Sequence, residues 1–180
     1  MRALGPGSVS SFLKTILDVA YFALLAFSGL LLLLGLAGVL LSFDQDLLAR
    51  YAARLQIDGD APEPGRLLPM LGAGFAYLLV STGGVLAIVS RLRMVFRTLT
   101  AGDPFHPDNV GRLRLIGFVL AGLEVARHLA EAAFARLGAV GDGREEGVNV
   151  TAWFAVLVIF VLAEVFREGA RLRREAELTI

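Results

Sequence analysis

The densest chemistry in the chain lies in GLEVARHLAEAAF, residues 122–134, where Glu124, Arg127, His128 and Glu131 follow one another at offsets of three and four. On a helix that spacing brings all four side chains to one face. Two carboxylates, a guanidinium and an imidazole in a row can compensate one another, Glu124 meeting Arg127 or His128 and Arg127 meeting Glu131. The same row can serve as a proton-linked sensor or hold a small ligand, because histidine changes charge near neutral pH. A metal site built on His128 with Glu124 and Glu131 is the weakest reading, since three ligands in line on one helix rarely close a coordination sphere. No metal or cofactor is therefore expected. No phosphate-binding loop, nucleophile elbow, zinc-protease helix or Ser, His, Asp set occurs, so no catalytic residue is expected. The absence of cysteine excludes disulfides and thiolate catalysis.

The setting of that row matters more than its composition. The chain has 180 residues, 56% apolar and 19% charged, and its mean hydropathy of +0.69 belongs to a membrane protein rather than a water-soluble domain. Residues 19–43 and 67–90 are runs of 25 and 24 residues without a charge, against about 20 needed to span a bilayer. Residues 148–163 are 16 more, and they reach spanning length if Glu164 to Phe166 lie at the headgroup boundary. Residues 115–137 have the length but carry Glu124, Arg127, His128, Glu131 and Arg136. Each charge near the bilayer centre costs roughly 2.5–3.5 kcal/mol, against about 0.3–0.6 gained per large apolar side chain. Such a helix must turn its polar face into a bundle. The first run is too long for a signal-peptide core of about 7–15 residues, so it is expected to remain as an anchor.

The expected architecture is all-α: an integral membrane protein with four transmembrane helices, at about 19–43, 67–90, 115–137 and 148–166, forming a single membrane domain over 1–180. Four spans put the N-terminus, the central loop and the C-terminal tail on one side, with eleven Lys and Arg against five on the other. The positive-inside rule assigns that side to the cytoplasm, hence a multi-pass protein of the plasma membrane with both termini inside. Removing the third span would send the tail arginines outside, against this bias.

The connecting segments have their own grammar. Residues 44–57 place Leu47, Leu48, Tyr51 and Leu55 on one face and Arg50 and Arg54 on another, a pattern for a short surface helix capped at Asp44. DGDAPEPG, residues 58–65, is turn chemistry; Asp58 and Asp60 lack the rest of a calcium loop. In GDPFHPDNVGRLRLIG, residues 102–117, Gly102 reads as a helix stop, His106 as a cap and Pro107 as the first helical position, with Asp108 and Asn109 in the first turn. Leu92, Val95, Phe96 and Leu99 form one apolar face before it. Residues 91–114 thus predict a cytoplasmic helical hairpin of about two turns per arm. The tail, 167–180, pairs Glu164 with Arg167, Glu168 with Arg171, Arg171 with Glu175 and Arg173 with Glu177, a solvated continuation of the fourth helix.

These two polar segments carry a resemblance. GDPFHPDNVGRLRLIG and the ending LAEVFREGARLRREAELTI resemble the signature segments of an uncharacterised bacterial membrane-protein family, domain of unknown function 2975. The matching positions are Gly102, Pro104, Phe105, Asn109, Arg112, Leu113, Phe166, Arg167, Gly169, Leu172, Glu177, Leu178 and Thr179. His106 and Pro107 depart from the pattern, which has Ser or Thr followed by an acidic residue. The resemblance implies four membrane helices, no established enzymatic activity, and genes that sit beside small Cro-like helix-turn-helix regulators.

Two functions follow as expectations. The first is a non-enzymatic inner-membrane sensor or sequestering partner for such a regulator, docking through Pro104, Phe105, Asn109, Arg112, Arg114, Phe166, Arg167 and Arg171. The second is a small transport or ligand-binding module working at Glu124, Arg127, His128 and Glu131. The basic residues also serve as anchors on anionic lipid. Direct nucleic-acid binding is not expected, because acidic residues interleave the tail and no DNA-reading motif is present. Small residues at Gly35, Gly38, Gly72, Ala76, Gly117 and Ala121 allow close helix contact and are compatible with a homo-oligomer. A reporter fused after Ile180 should give a cytoplasmic signal; an external signal would overturn the four-span topology.

Overall fold

The structure is a computed structural model describing residues 9–41, 43, 50, 64–138 and 147–178. The described elements are four helices, α1 (Val9–Leu41), α2 (Pro64–Thr100), α3 (Asp108–Arg136) and α4 (Val150–Glu177). The expected surface helix at 44–57 and the DGDAPEPG turn fall outside the described residues, except Arg50 and the start of α2 at Pro64 and Gly65. So do Thr179 and Ile180.

Inside a bilayer, apolar runs of this length would leave the backbone no favourable alternative to helix, since every peptide group would have to find its partner within its own segment. α1 has 33 residues and α2 has 37, so at 1.5 Å per residue they reach about 50 and 55 Å, well beyond a hydrocarbon core of about 30 Å. α1, α2 and α4 are long and apolar enough to cross a membrane. α3 is as long as α4 but is interrupted by its charges. α2 and α3 continue into residues 91–100 and 108–114, the arms predicted for the hairpin, and α4 runs on to Glu177.

The helix ends are built as their residues dictate. α2 closes on Gly102 at φ +84°, with Asp103 N–H donating to Thr98 C=O at 2.9 Å and Gly102 N–H to Leu99 C=O at 3.1 Å. That is a Schellman closure, which needs the left-handed conformation glycine adopts without strain. α4 opens on Asn149, whose side chain accepts from Ala152 N–H at 3.1 Å.

The chain divides into two compact units. The first comprises residues 1–25, 83–124 and 148–180. Its core is Leu113, Ile116 and Ala163, packed by Ile88, Leu92, Leu120, Ile159 and Phe166. Leu113, Ile116 and Leu120 recur at helical spacing on α3, and Ile159, Ala163 and Phe166 do so on α4, so two apolar stripes meet. Gly117 makes the approach possible, because a Cβ there would sit 3.0 Å from the Phe160 ring. The second unit comprises residues 26–82 and 125–147. In it Gly35 receives the Phe75 ring, and the Phe134 ring approaches Gly74.

Among the described residues much of the apolar surface is exposed. Leu33 on α1 is 66% exposed and Phe154 on α4 is 65% exposed. Gly102→Val should lower the unfolding free energy by about 1–2 kcal/mol, the cost of a left-handed residue bearing a Cβ. Thermal unfolding of the detergent-solubilised protein measures it, and an unchanged midpoint would refute the role given to Gly102.

Candidate functional site

At the turn between α2 and α3, the side chain of Asn109 is fully buried, with 0% exposure. Its amide Nδ2 donates to Thr98 Oγ1 at 2.7 Å and to Pro104 C=O at 3.1 Å. Its Oδ1 accepts from Arg112 Nη1 at 2.8 Å. Arg112 also reaches Met94 C=O at 3.4 Å and Asp108 at 3.3 Å. One amide therefore ties the end of α2, the loop and the first turn of α3. Asn109 and Arg112, expected at a docking surface, are instead engaged inside the hairpin and determine its shape.

His106 takes the capping role despite its departure from the family pattern. Its Nδ1 accepts from Asp108 N–H at 3.2 Å, as a Ser or Thr oxygen would, and Asn109 N–H donates to His106 C=O at 2.9 Å.

The tail packs onto this hairpin. Phe105 lies against Phe166 with ring centroids 5.7 Å apart, and its ring occupies the space a Cβ would need on Gly169. Arg173 pairs with Asp103 in the loop and, at 3.0 Å, with Glu177. The hydrogen bond to Glu177, then the attraction of Asp103, raise the Arg173 guanidinium above its ordinary value. Nearer the apolar run, Glu164 pairs with Arg114 of α3 at 3.7 Å and with Arg167 on its own helix. Arg171 pairs with Glu168 at 2.6 Å and Glu175 at 3.6 Å.

Between the start of α3 and the tail lies an open groove of about 420 Å³ lined by Pro107, Val110, Arg167, Glu168, Ala170, Arg171 and Arg174. Two expected docking residues, Arg167 and Arg171, line it. Phe105 and Phe166 support it through the ring contact, and Pro104 contributes the carbonyl held by Asn109.

A second anchor escaped the sequence reading, which offered Arg93 as a lipid anchor or as part of a docking surface. Arg93 Nε contacts Asp18 of α1 at 2.5 Å, and its guanidinium lies 4.2 Å from the Tyr21 ring centroid and 5.5 Å from that of Phe22. The signal was the single carboxylate at the head of the first apolar run, followed by two aromatics.

On α3, Arg127 meets Glu131 at 2.5 Å and His128 Nε2 at 3.3 Å, while His128 Nδ1 faces Glu131 at 3.5 Å. Because a guanidinium only donates, Nε2 accepts, and the proton of a neutral imidazole sits on Nδ1, facing Glu131. These three side chains belong to the second unit and are part-exposed. Glu124 belongs to the first, is 6% exposed and is itself partnered. Among the described residues no group of three or more His, Asp or Glu could hold a metal ion.

The profile of a family described as "Protein of unknown function (DUF2975)" matches residues 65–180. The chain belongs to this family. The DUF2975 match covers the hairpin, the tail, α3 and the groove, and leaves α1 outside it. Comparison with curated proteins and with solved structures returns no match.

Asn109→Ala should destabilise the protein by about 1–3 kcal/mol, because it strips partners from buried polar groups and from Arg112. Thermal unfolding in detergent reports this, and a shift no larger than that of an exposed substitution such as Arg174→Ala would contradict it.

Proposed function

We propose that this is a four-span protein of the bacterial inner membrane, both termini cytoplasmic, that holds a small helix-turn-helix transcription regulator on its hairpin and tail. The membrane reading is supported by α1, α2 and α4, whose exposed apolar side chains would be costly in water. α3 is the remaining span in this reading, its charges compensated along the helix, and the arginine distribution sets the orientation. The protein is non-enzymatic in this reading, needs no cofactor and does not itself contact nucleic acid.

The observation that carries the proposal is the joining of hairpin and tail into one platform through Phe105 on Phe166 and Asp103 with Arg173. A passive tether would need neither a buried amide nor a ring seated on a glycine. Joined in this way, two segments far apart in sequence present a fixed surface with a groove. The regulator enters as partner because the resemblance of these segments implies genes for such regulators beside those of the family.

The Arg127, His128 and Glu131 contacts favour a second reading, a small transport or ligand-binding module acting on α3. One experiment separates the two. A helix-turn-helix regulator encoded beside the gene should sediment with membranes containing the protein, and equally with the His128→Ala variant. It should be lost from membranes containing a chain truncated after Phe166. A regulator that stays soluble beside the full chain, or that still sediments with the inserted truncation, would overturn the docking reading.

A further inference from the structure

The groove beside the tail has a composition that specifies its occupant. Arg167, Arg171 and Arg174 stand at i, i+4 and i+7 on α4, a single stripe running about 10 Å along the helix. Opposite them Pro107 and Val110 of the α3 entrance, with Ala170, provide an apolar floor. Glu168 is the one acidic lining residue, so three guanidiniums face one carboxylate.

Those guanidiniums are available. Arg174 has no ion-pair partner among the described residues. Arg167 and Arg171 are 60% and 63% exposed and, among the described residues, paired along their own helix. Exposed pairs of this kind hold weakly and exchange readily for an incoming carboxylate. The space, about 420 Å³, falls within the roughly 300–1,000 Å³ of ligand clefts. A stripe that leads away from the apolar part of α4 suits an extended or helical peptide segment. A lipid headgroup, confined to one depth, would meet only its first arginine.

We infer that the groove receives an acidic, amphipathic segment of a protein partner, its carboxylates on Arg171 and Arg174 and a small apolar side chain against Val110 and Ala170. This rests on the docking reading above and adds the chemistry of the docked segment.

The test uses the full chain in phosphatidylcholine nanodiscs and two fluorescent twelve-residue peptides with identical leucines, one with glutamate and one with lysine at every polar position. The glutamate peptide should bind, measured by anisotropy, and the lysine peptide should not. Arg171→Glu with Arg174→Glu should weaken binding at least tenfold, Lys at both positions should recover part of it, and Arg136→Glu should have no effect. Both arginines are exposed, and an unchanged unfolding temperature verifies that the variants are folded. Equal binding of both peptides, or binding indifferent to the double reversal, would overturn the inference. It would also be overturned if phosphatidylglycerol nanodiscs abolish peptide binding by the parent chain and the Arg136→Glu control alike, because lipid headgroups would then occupy the arginines. If the regulator still sediments with membranes of the double-reversal variant, the groove assignment fails while the docking reading stands. If the glutamate peptide binds but the regulator never sediments, the groove chemistry stands and the regulator is excluded as its partner.

Discussion

The buried amide of Asn109 is the contact on which the architecture of the hairpin and tail turns. A primary amide offers two donors and an acceptor, and three different elements take them: Thr98 at the end of α2, Pro104 in the loop and Arg112 on α3. Removed from water, such a group is unfavourable unless satisfied, so its full use holds the turn in one geometry. That geometry sets Phe105 and Asp103 in position to meet the tail.

From this turn the packing of the first unit follows. Phe105 needs a flat place to seat its ring, and Gly169 on α4 supplies it. The aromatic contact with Phe166 continues into Ala163, Ile116 and Leu113, so one apolar column runs from the loop into the helices. Gly117 and Phe160 repeat the arrangement further along. Small residues such as glycine let apolar helices approach closely, and here each glycine receives an aromatic ring. The ion pairs of Glu164 with Arg114 and Arg167 border this column. They are exposed and contribute little to stability, and of their two arginines Arg167 is the one that lines the groove.

Much of the architecture was legible in the residues. Long charge-free runs dictate helices, Gly102 dictates a left-handed stop, and Pro107 with Asp108 dictates a start; the structure has all three. The tail pairs Arg171 with Glu168 and Arg173 with Glu177 were legible because i, i+3 and i, i+4 neighbours are fixed by helix geometry alone. The candidate site was only half legible. Asn109 and Arg112 looked like surface residues, because polar side chains in a loop usually face water. Nothing in the local pattern shows that a loop carbonyl and a threonine from the preceding helix hold Asn109, or that a carbonyl of that helix meets Arg112. The contacts of Arg93 were hidden for the same reason, since Asp18 and Tyr21 lie on a helix far away in sequence.

By itself, then, the sequence determined what depends on neighbours within one or two turns: the existence of the four helices, the His106 cap, the left-handed glycine and the self-pairing of Arg127 with Glu131, while α1 begins at Val9, ten residues before the apolar run that marked it. Only the tertiary structure decided which side chains from α3 and α4 face each other, that Asn109 is interior, and that Arg167, Arg171 and Arg174 share a groove with Pro107 and Val110. The division has a physical cause. Helical hydrogen bonding and side-chain spacing are local, whereas burial is a property of what another segment brings to the same place.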